Sequence, residues 1–191
     1  VITYYAHSGR EGDRNDWQTL KEHLEQVAAL AAHMAEALGL EKAAFLAGLF
    51  HDLGKYTAEF QRRLTGAEVR VDHSTAGAWH ILQAVQGQDR FVAELIAYAI
   101  LGHHAGLPDK RGIESALTER IAGFRSGSLD RIWETEITAD LSGLMPGFSW
   151  EKTKERLAFQ LAFCGRMLFS CLVDADFKDT EAFYGALEGR Q

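Results

Sequence analysis

Residues Leu49–Tyr56 read LFHDLGKY. An imidazole, a carboxylate and an ammonium stand there inside an apolar run. Burying a charge without a partner costs several kcal/mol, so the rest of the chain has to supply that partner. Adjacent residues on a helix point about 100° apart, and His51 and Asp52 therefore seldom serve one packing face. They suit a metal held between helices, and Asp52, with two carboxylate oxygens, can bridge two ions.

Working outward, the apolar pattern is helical almost everywhere. Leu20, Leu24, Val27, Leu30, Ala31, Met34 and Leu38 form a stripe, with Asp16 as its expected N-cap and Gly39 in place to end it. A second helix is expected from Glu41 to Leu53, stopping at Gly54, and a short one from Thr57 to Leu64. A fourth should run from Asp72 or Ser74 to Val85, and a fifth, capped by Asp89, to Gly102. The segment GHHAGLPDKRG reads as a loop. Shorter helices are expected over Ile113–Phe124 and Leu129–Ile137. Ser149 should cap a long helix from Trp150 to Phe177, with a separate short helix after Thr180. No period-two alternation is long enough for a strand, and no repeat or composition break divides the chain. The expectation is an all-α helical bundle forming one domain over residues 1–191.

Composition agrees. Apolar residues make up 47% of the 191, enough for a real core. The net charge of −7 argues against a duplex-reading module but not against a nuclease, because bound divalent cations reverse the local charge. Cys164 and Cys171, on one helix, lie roughly 10 Å apart, too far for a disulfide. Reduced cysteines fit a cytoplasmic setting. No apolar leader is visible in VITYYAHSGR. Leu157–Val173, LAFQLAFCGRMLFSCLV, carries Gln160 and Arg166 and reads as a buried helix rather than a membrane span. A chain that begins at Val1 rather than Met reads as a piece of something longer.

Further candidate ligands recur. His103–His104 is a second adjacent pair, at an expected helix end. His23 lies on the apolar face of the first helix, where taken alone it reads as a core histidine. Asp174 and Asp176 differ by about 200° around a helix, so only one can face a site. Imidazole and carboxylate together suit Mn, Fe, Co, Ni or Zn, with Mg also admitted. The absence of paired CxxC argues against a structural zinc site. His33 reads as a surface residue, His80 as an ordinary helix residue, and His7 lies in a segment without a readable pattern. Gly48–Lys55 is not a phosphate-binding loop, because Tyr56 stands where Ser or Thr is needed.

The order H…HD…H…HH…D in a helical chain resembles the HD phosphohydrolase superfamily. WQTLKEHL at Trp17–Leu24, HDLGK at His51–Lys55, DHSTAGA at Asp72–Ala78, GHHAG at Gly102–Gly106 and RMLFSCLVDADFKDTE at Arg166–Glu181 together make a finer match. They resemble the HD nuclease domain of the CRISPR-associated nuclease–helicase of type I systems, from about Tyr4 to Phe183. The resemblance implies a metal-dependent nuclease degrading single-stranded DNA in antiviral interference. It implies one metal held by His23, His51, Asp52 and a late aspartate, and a second held by Asp52, His73, His103 and His104. The family's Ala-Asp-aromatic pattern selects Asp176. It implies as partners a superfamily 2 helicase, as a further domain or a separate subunit, and an RNA-guided surveillance complex.

Bound metals activate the attacking water, so no serine or cysteine nucleophile is required. Lys55, next to the motif, would neutralise phosphate oxygens alongside catalytic Asp52. Ser74 would orient substrate or His73, and Arg62, Arg63, Lys110 and Arg111 would form a phosphate-tracking rim. The rival readings are an HD phosphohydrolase acting on nucleotides or cyclic nucleotides, and a catalytically silent domain that recruits a helicase or surveillance complex.

Overall fold

The computed structural model describes residues 2–10 and 14–190. It is mostly helical, as the periodicity requires. A two-stranded antiparallel ribbon, β1 (Tyr5–His7) and β2 (Gln18–Thr19), opens the chain, with His7 opposite Gln18. Strands of two and three residues are too short to show an alternation, so the sequence gives no sign of them.

Among the described residues eight α-helices follow: α1 (Leu20–Ala35), α2 (Glu41–Phe50), α3 (Ala58–Leu64), α4 (Thr75–Ala84), α5 (Arg90–Gly102), α6 (Leu117–Gly123), α7 (Trp133–Glu136) and α8 (Lys154–Leu187). α1, α2, α5 and α8 pack around the core, and α4 lies on α5. Leu20, Leu24, Val27, Leu46, Phe50, Ile96, Ile100, Leu168 and Leu172 are fully buried there. α1 and α2 approach closely because Gly48 carries no side chain; a Cβ there would meet the Ala28 backbone at 2.6 Å.

Several boundaries differ from those expected. Thr19, not Asp16, caps α1. Its side chain accepts from Glu22 N–H, and Glu22 reaches back to the Thr19 backbone in a capping box. Asp16 instead accepts from Arg10 N–H at 2.8 Å. α2 ends at Phe50 rather than Leu53, so His51 and Asp52 form the turn into a 3-10 segment at Leu53–Lys55. Asp89 precedes α5 but does not cap it; its Oδ1 accepts from Leu144 and Met145 N–H. α6 and α7 are shorter than the apolar pattern suggests, and Ile113 lies outside α6, largely exposed.

α8 begins at Lys154 without a side-chain cap, not at a Ser149 cap, and runs unbroken past Thr180. No glycine or proline interrupts it between Arg166 and Tyr184, and 34 residues span about 50 Å. By length and composition it is apolar enough to cross a membrane. Its later part packs on α1 and α5. Over residues 154–163 it is not the buried helix expected: Phe159 and Phe163 are exposed, at 73% and 46%. Cys164 and Cys171 are free and buried.

Candidate metal centre

Five elements bring seven side chains to one place. α1 contributes His23, the turn after α2 contributes His51 and Asp52, and the segment before α4 contributes His73. His103 and His104 follow α5 directly, and α8 contributes Asp176. Gly54 makes one of these meetings possible. Its N–H donates to the His73 carbonyl at 2.9 Å, and a Cβ on Gly54 would strike the His73 backbone at 2.5 Å. The glycine of HDLGK is therefore what lets His73 approach Asp52.

Asp52 sits in the middle, 1% exposed. Its Oδ2 lies 3.6 Å from His23 Nε2 and 3.4 Å from His51 Nε2. Its Oδ1 lies 3.5 Å from His73 Nε2 and 3.4 Å from His103 Nε2. The two oxygens thus face two different groups of imidazoles. Asp176 Oδ1 joins the first group, 3.5 Å from His23 Nε2 and 3.6 Å from His51 Nε2. His104 joins the second, with its Nε2 at 2.7 Å from His73 Nε2. Asp174 does not take part; it is exposed and pairs with Lys178 at 2.8 Å.

The ring nitrogens are aimed by their other ends. Nδ1 of His51 contacts the Gly48 carbonyl at 2.7 Å, that of His73 the Val71 carbonyl at 3.1 Å, and that of His103 the Ile100 carbonyl at 2.6 Å. A carbonyl only accepts, so each Nδ1 donates, and each ring, once neutral, presents its Nε2 lone pair. Among the described residues, Asp52 Oδ1 and His103 Nε2 are buried without a hydrogen-bond partner. Orphaned buried acceptors of this kind are costly in a protein alone and fit a divalent cation. Imidazole and carboxylate oxygen are the donors such ions take.

The charges are strongly coupled. Burial pushes the His51 imidazole down, but the carboxylates of Asp52 and Asp176 outweigh it and raise it to about 10. Burial would raise the Asp52 carboxyl; His51, Lys55 and His73 instead hold it well below the usual carboxylate range. Burial likewise opposes ionisation of Asp176, and His51 overcomes it. On the other side, burial lowers His73 despite Asp52, and burial with the neighbouring His103 brings His104 down to about 4.

A cleft of about 320 Å³ opens onto the cluster, lined in part by Asp52, Lys55, His103, His104, Asp176 and Phe177. Lys55 is buried, with Nζ 2.6 Å from Asp52 Oδ2 and 3.3 Å from the Ala6 carbonyl. His7, which the sequence did not single out, also lines this cleft. Its ring stands edge-on to His23 with centroids 4.9 Å apart. Burial, Lys55 and His23 lower it to about 3, so it stays neutral. The ribbon pairing and contacts with Thr180, Phe183 and Tyr184 of α8 hold it there, and local pattern carries no trace of that.

Other expected site residues lie elsewhere. The Ser74 hydroxyl is engaged by Arg120 at 2.8 Å and Asp72 at 3.4 Å. Asp72, not the Ser74 side chain, accepts from the Ser74 and Thr75 N–H groups at the start of α4. Arg62 pairs with Glu59, Lys110 with Glu94, and Arg63 lies over the Phe60 ring. These three and the exposed Arg111 are not among the residues that line the cleft. His33 is exposed beside Glu36, and His80 packs between Phe50 and Trp133.

Helices that converge histidines and aspartates on a shared carboxylate define a metal-dependent hydrolase of the all-helical kind. The HD domain family matches residues 20–138, more than half of the chain, and the chain belongs to that family. Among curated relatives, a protein named Ribonuclease Y from Oleidesulfovibrio alaskensis is 28% identical over 172 residues, covering 87% of this chain and 29% of that protein. A second Ribonuclease Y, from Syntrophobacter fumaroxidans, is 30% identical over 140 residues, covering 69% and 24%. The chain spans less than a third of the length of these relatives.

Proposed function

We propose that this chain is the nuclease unit of a type I CRISPR system and hydrolyses phosphodiester bonds in single-stranded DNA. The observation that carries the hydrolytic part is one buried aspartate presenting its two oxygens to two separate groups of imidazoles. His23, His51, Asp52 and Asp176 would hold one divalent ion; Asp52, His73, His103 and His104 would hold the other. When bound, such ions supply charge neutralisation and an activated water. The residues do the rest. Backbone carbonyls fix the Nδ1–H tautomers so that Nε2 lone pairs face inward. Lys55 adds a fixed positive charge at the cleft. Neutral His7 offers a hydrogen bond to a phosphate oxygen. Phe177, 63% exposed at the cleft, offers a face on which an unpaired base stacks.

The joint match of the five motifs supports DNA and the CRISPR setting, with a superfamily 2 helicase feeding the strand and a surveillance complex choosing it, in the cytoplasm. A second reading, RNA cleavage, is favoured by the name Ribonuclease Y on both relatives. The test is Mn2+-supplemented cleavage of single-stranded DNA beside RNA of the same sequence, duplex DNA and nucleoside triphosphates. Rapid cutting of single-stranded DNA with duplex spared is expected. Faster RNA cutting moves the assignment to the second reading, and nucleotide hydrolysis without strand cleavage moves it to a nucleotide phosphohydrolase.

A further inference from the structure

Of the four histidines whose Nδ1 is engaged at this centre, three donate to backbone carbonyls. His23 does not. Its Nδ1 lies 2.7 Å from Oδ2 of Asp179, a carboxylate only 5% exposed. The same Oδ2 accepts from Gln18 Nε2 at 2.8 Å, and Gln18 is itself 8% exposed. Asp176 and Asp179 are three apart on α8 and so share a helix face. They clamp one imidazole from both ends, Asp176 3.5 Å from Nε2 and Asp179 at Nδ1. A buried carboxylate is expensive to keep unless its contacts hold it, and here the contacts are one candidate ligand and one amide.

From this we infer that Asp179, fixed by Gln18, is a positioning residue for His23: it holds the Nδ1–H tautomer, orients the ring and makes its Nε2 a stronger donor to the first metal. The inference rests on the metal-centre reading above. It names a residue outside the seven, acting through one of them. The effect is asymmetric, because His73, His103 and His104 have no carboxylate at Nδ1 among the described residues. Asp179 therefore tunes one of the two ion positions and leaves the other alone.

The experiment compares the full chain with Asp179→Ala and Asp179→Asn. Mn2+ affinity is read by titration calorimetry and the His23 tautomer by ring nitrogen shifts of the metal-free protein. Asp179→Ala should weaken one of two Mn2+ positions by about 10–100-fold and mix the His23 tautomers. Asp179→Asn keeps an acceptor for Nδ1–H, so it should keep the tautomer and fall between Ala and the parent in affinity. If the Ala variant does not fold, the Asn variant carries the test by its affinity at that one position. Parental affinity in both variants overturns the inference, and so does equal weakening at both positions with a lowered melting temperature. A parent chain that binds no Mn2+ sinks the metal-centre reading instead, while the metal-free tautomer still reports on Asp179 by itself.

Discussion

The two halves of the centre are built differently. In the half around His23 and His51 both imidazoles are fully buried, anchored on α1 and on the end of α2, and backed by carboxylates on several sides, with Asp176 of α8 reaching the cleft. The half around His73 and His104 hangs on two connections rather than helix interiors. His73 precedes α4, His104 follows α5, and His104 is exposed. The first half holds a charged His51; in the second, His73 and His104 are held below their ordinary values. The difference teaches that a single carboxylate can join a buried, charge-compensated group of imidazoles to one that stands nearer solvent.

Removing the shared residue should erase the distinction altogether. Asp52→Asn keeps the shape but loses the charge that serves both sides. Cleavage should fall to background and both metal equivalents should be lost, read by elemental analysis beside the strand-cleavage assay. A variant that cuts at close to the parental rate would mean that Asp52 is no ligand in the working enzyme. Next in size is a substitution confined to one half. Asp176→Asn should lose the first equivalent and keep the second. Asp174→Asn, which breaks only an exposed pair with Lys178, should stay within about twofold of the parent, since such pairs are worth little. The reverse result would place the ligand two residues earlier on α8.

The halves should also separate by pH. In the metal-free protein His51 holds its proton up to about pH 10, so a cation entering the first half below that pH displaces a proton. Affinity there should therefore rise with pH, by up to about tenfold per unit for one proton. His73 and His104 are already neutral above pH 7, so affinity in the second half should be nearly flat from pH 7 to 9. Mn2+ titrations in buffers of different ionisation enthalpy count the protons released. Equal slopes for both positions would remove the contrast.

What could be read in the sequence was the part written in local pattern. The stripe of α1 and the adjacent pairs His51–Asp52 and His103–His104 are visible because helical period and adjacency are short-range properties. What could not be read depends on partners far along the chain. His7 reaches the cleft through a ribbon too short to show alternation. Asp179 is one more aspartate until its face on α8 is known, although its spacing of three from Asp176 was a usable signal. Of the expected cationic rim, Arg62 and Lys110 pair with Glu59 and Glu94, partners that the motif spacing did not reveal. Asp16 resembled a cap by type, but Thr19 with Glu22 three residues on is the stronger signature.

That cap supplies the smallest effect. Thr19 and Glu22 satisfy each other's backbone donors at the start of α1, with Glu22 Oε2 also accepting from the Thr19 hydroxyl at 2.6 Å. His23 is the very next residue, so the turn that this box closes also carries the first candidate ligand of that half. Thr19→Ala should cost about 1 kcal/mol in denaturant unfolding, a melting shift of about 2–4 °C for a chain of this size. It should leave both Mn2+ affinities within about twofold, because buried core contacts and Asp179 still fix the His23 ring. The contrast with Asp179→Ala is what makes the small number useful. One variant loosens the helix end and spares the ring; the other spares the helix end and loosens the ring. Should Thr19→Ala weaken the first Mn2+ position as much as Asp179→Ala does, the aim of His23 comes from the backbone of α1 rather than from the carboxylate behind it.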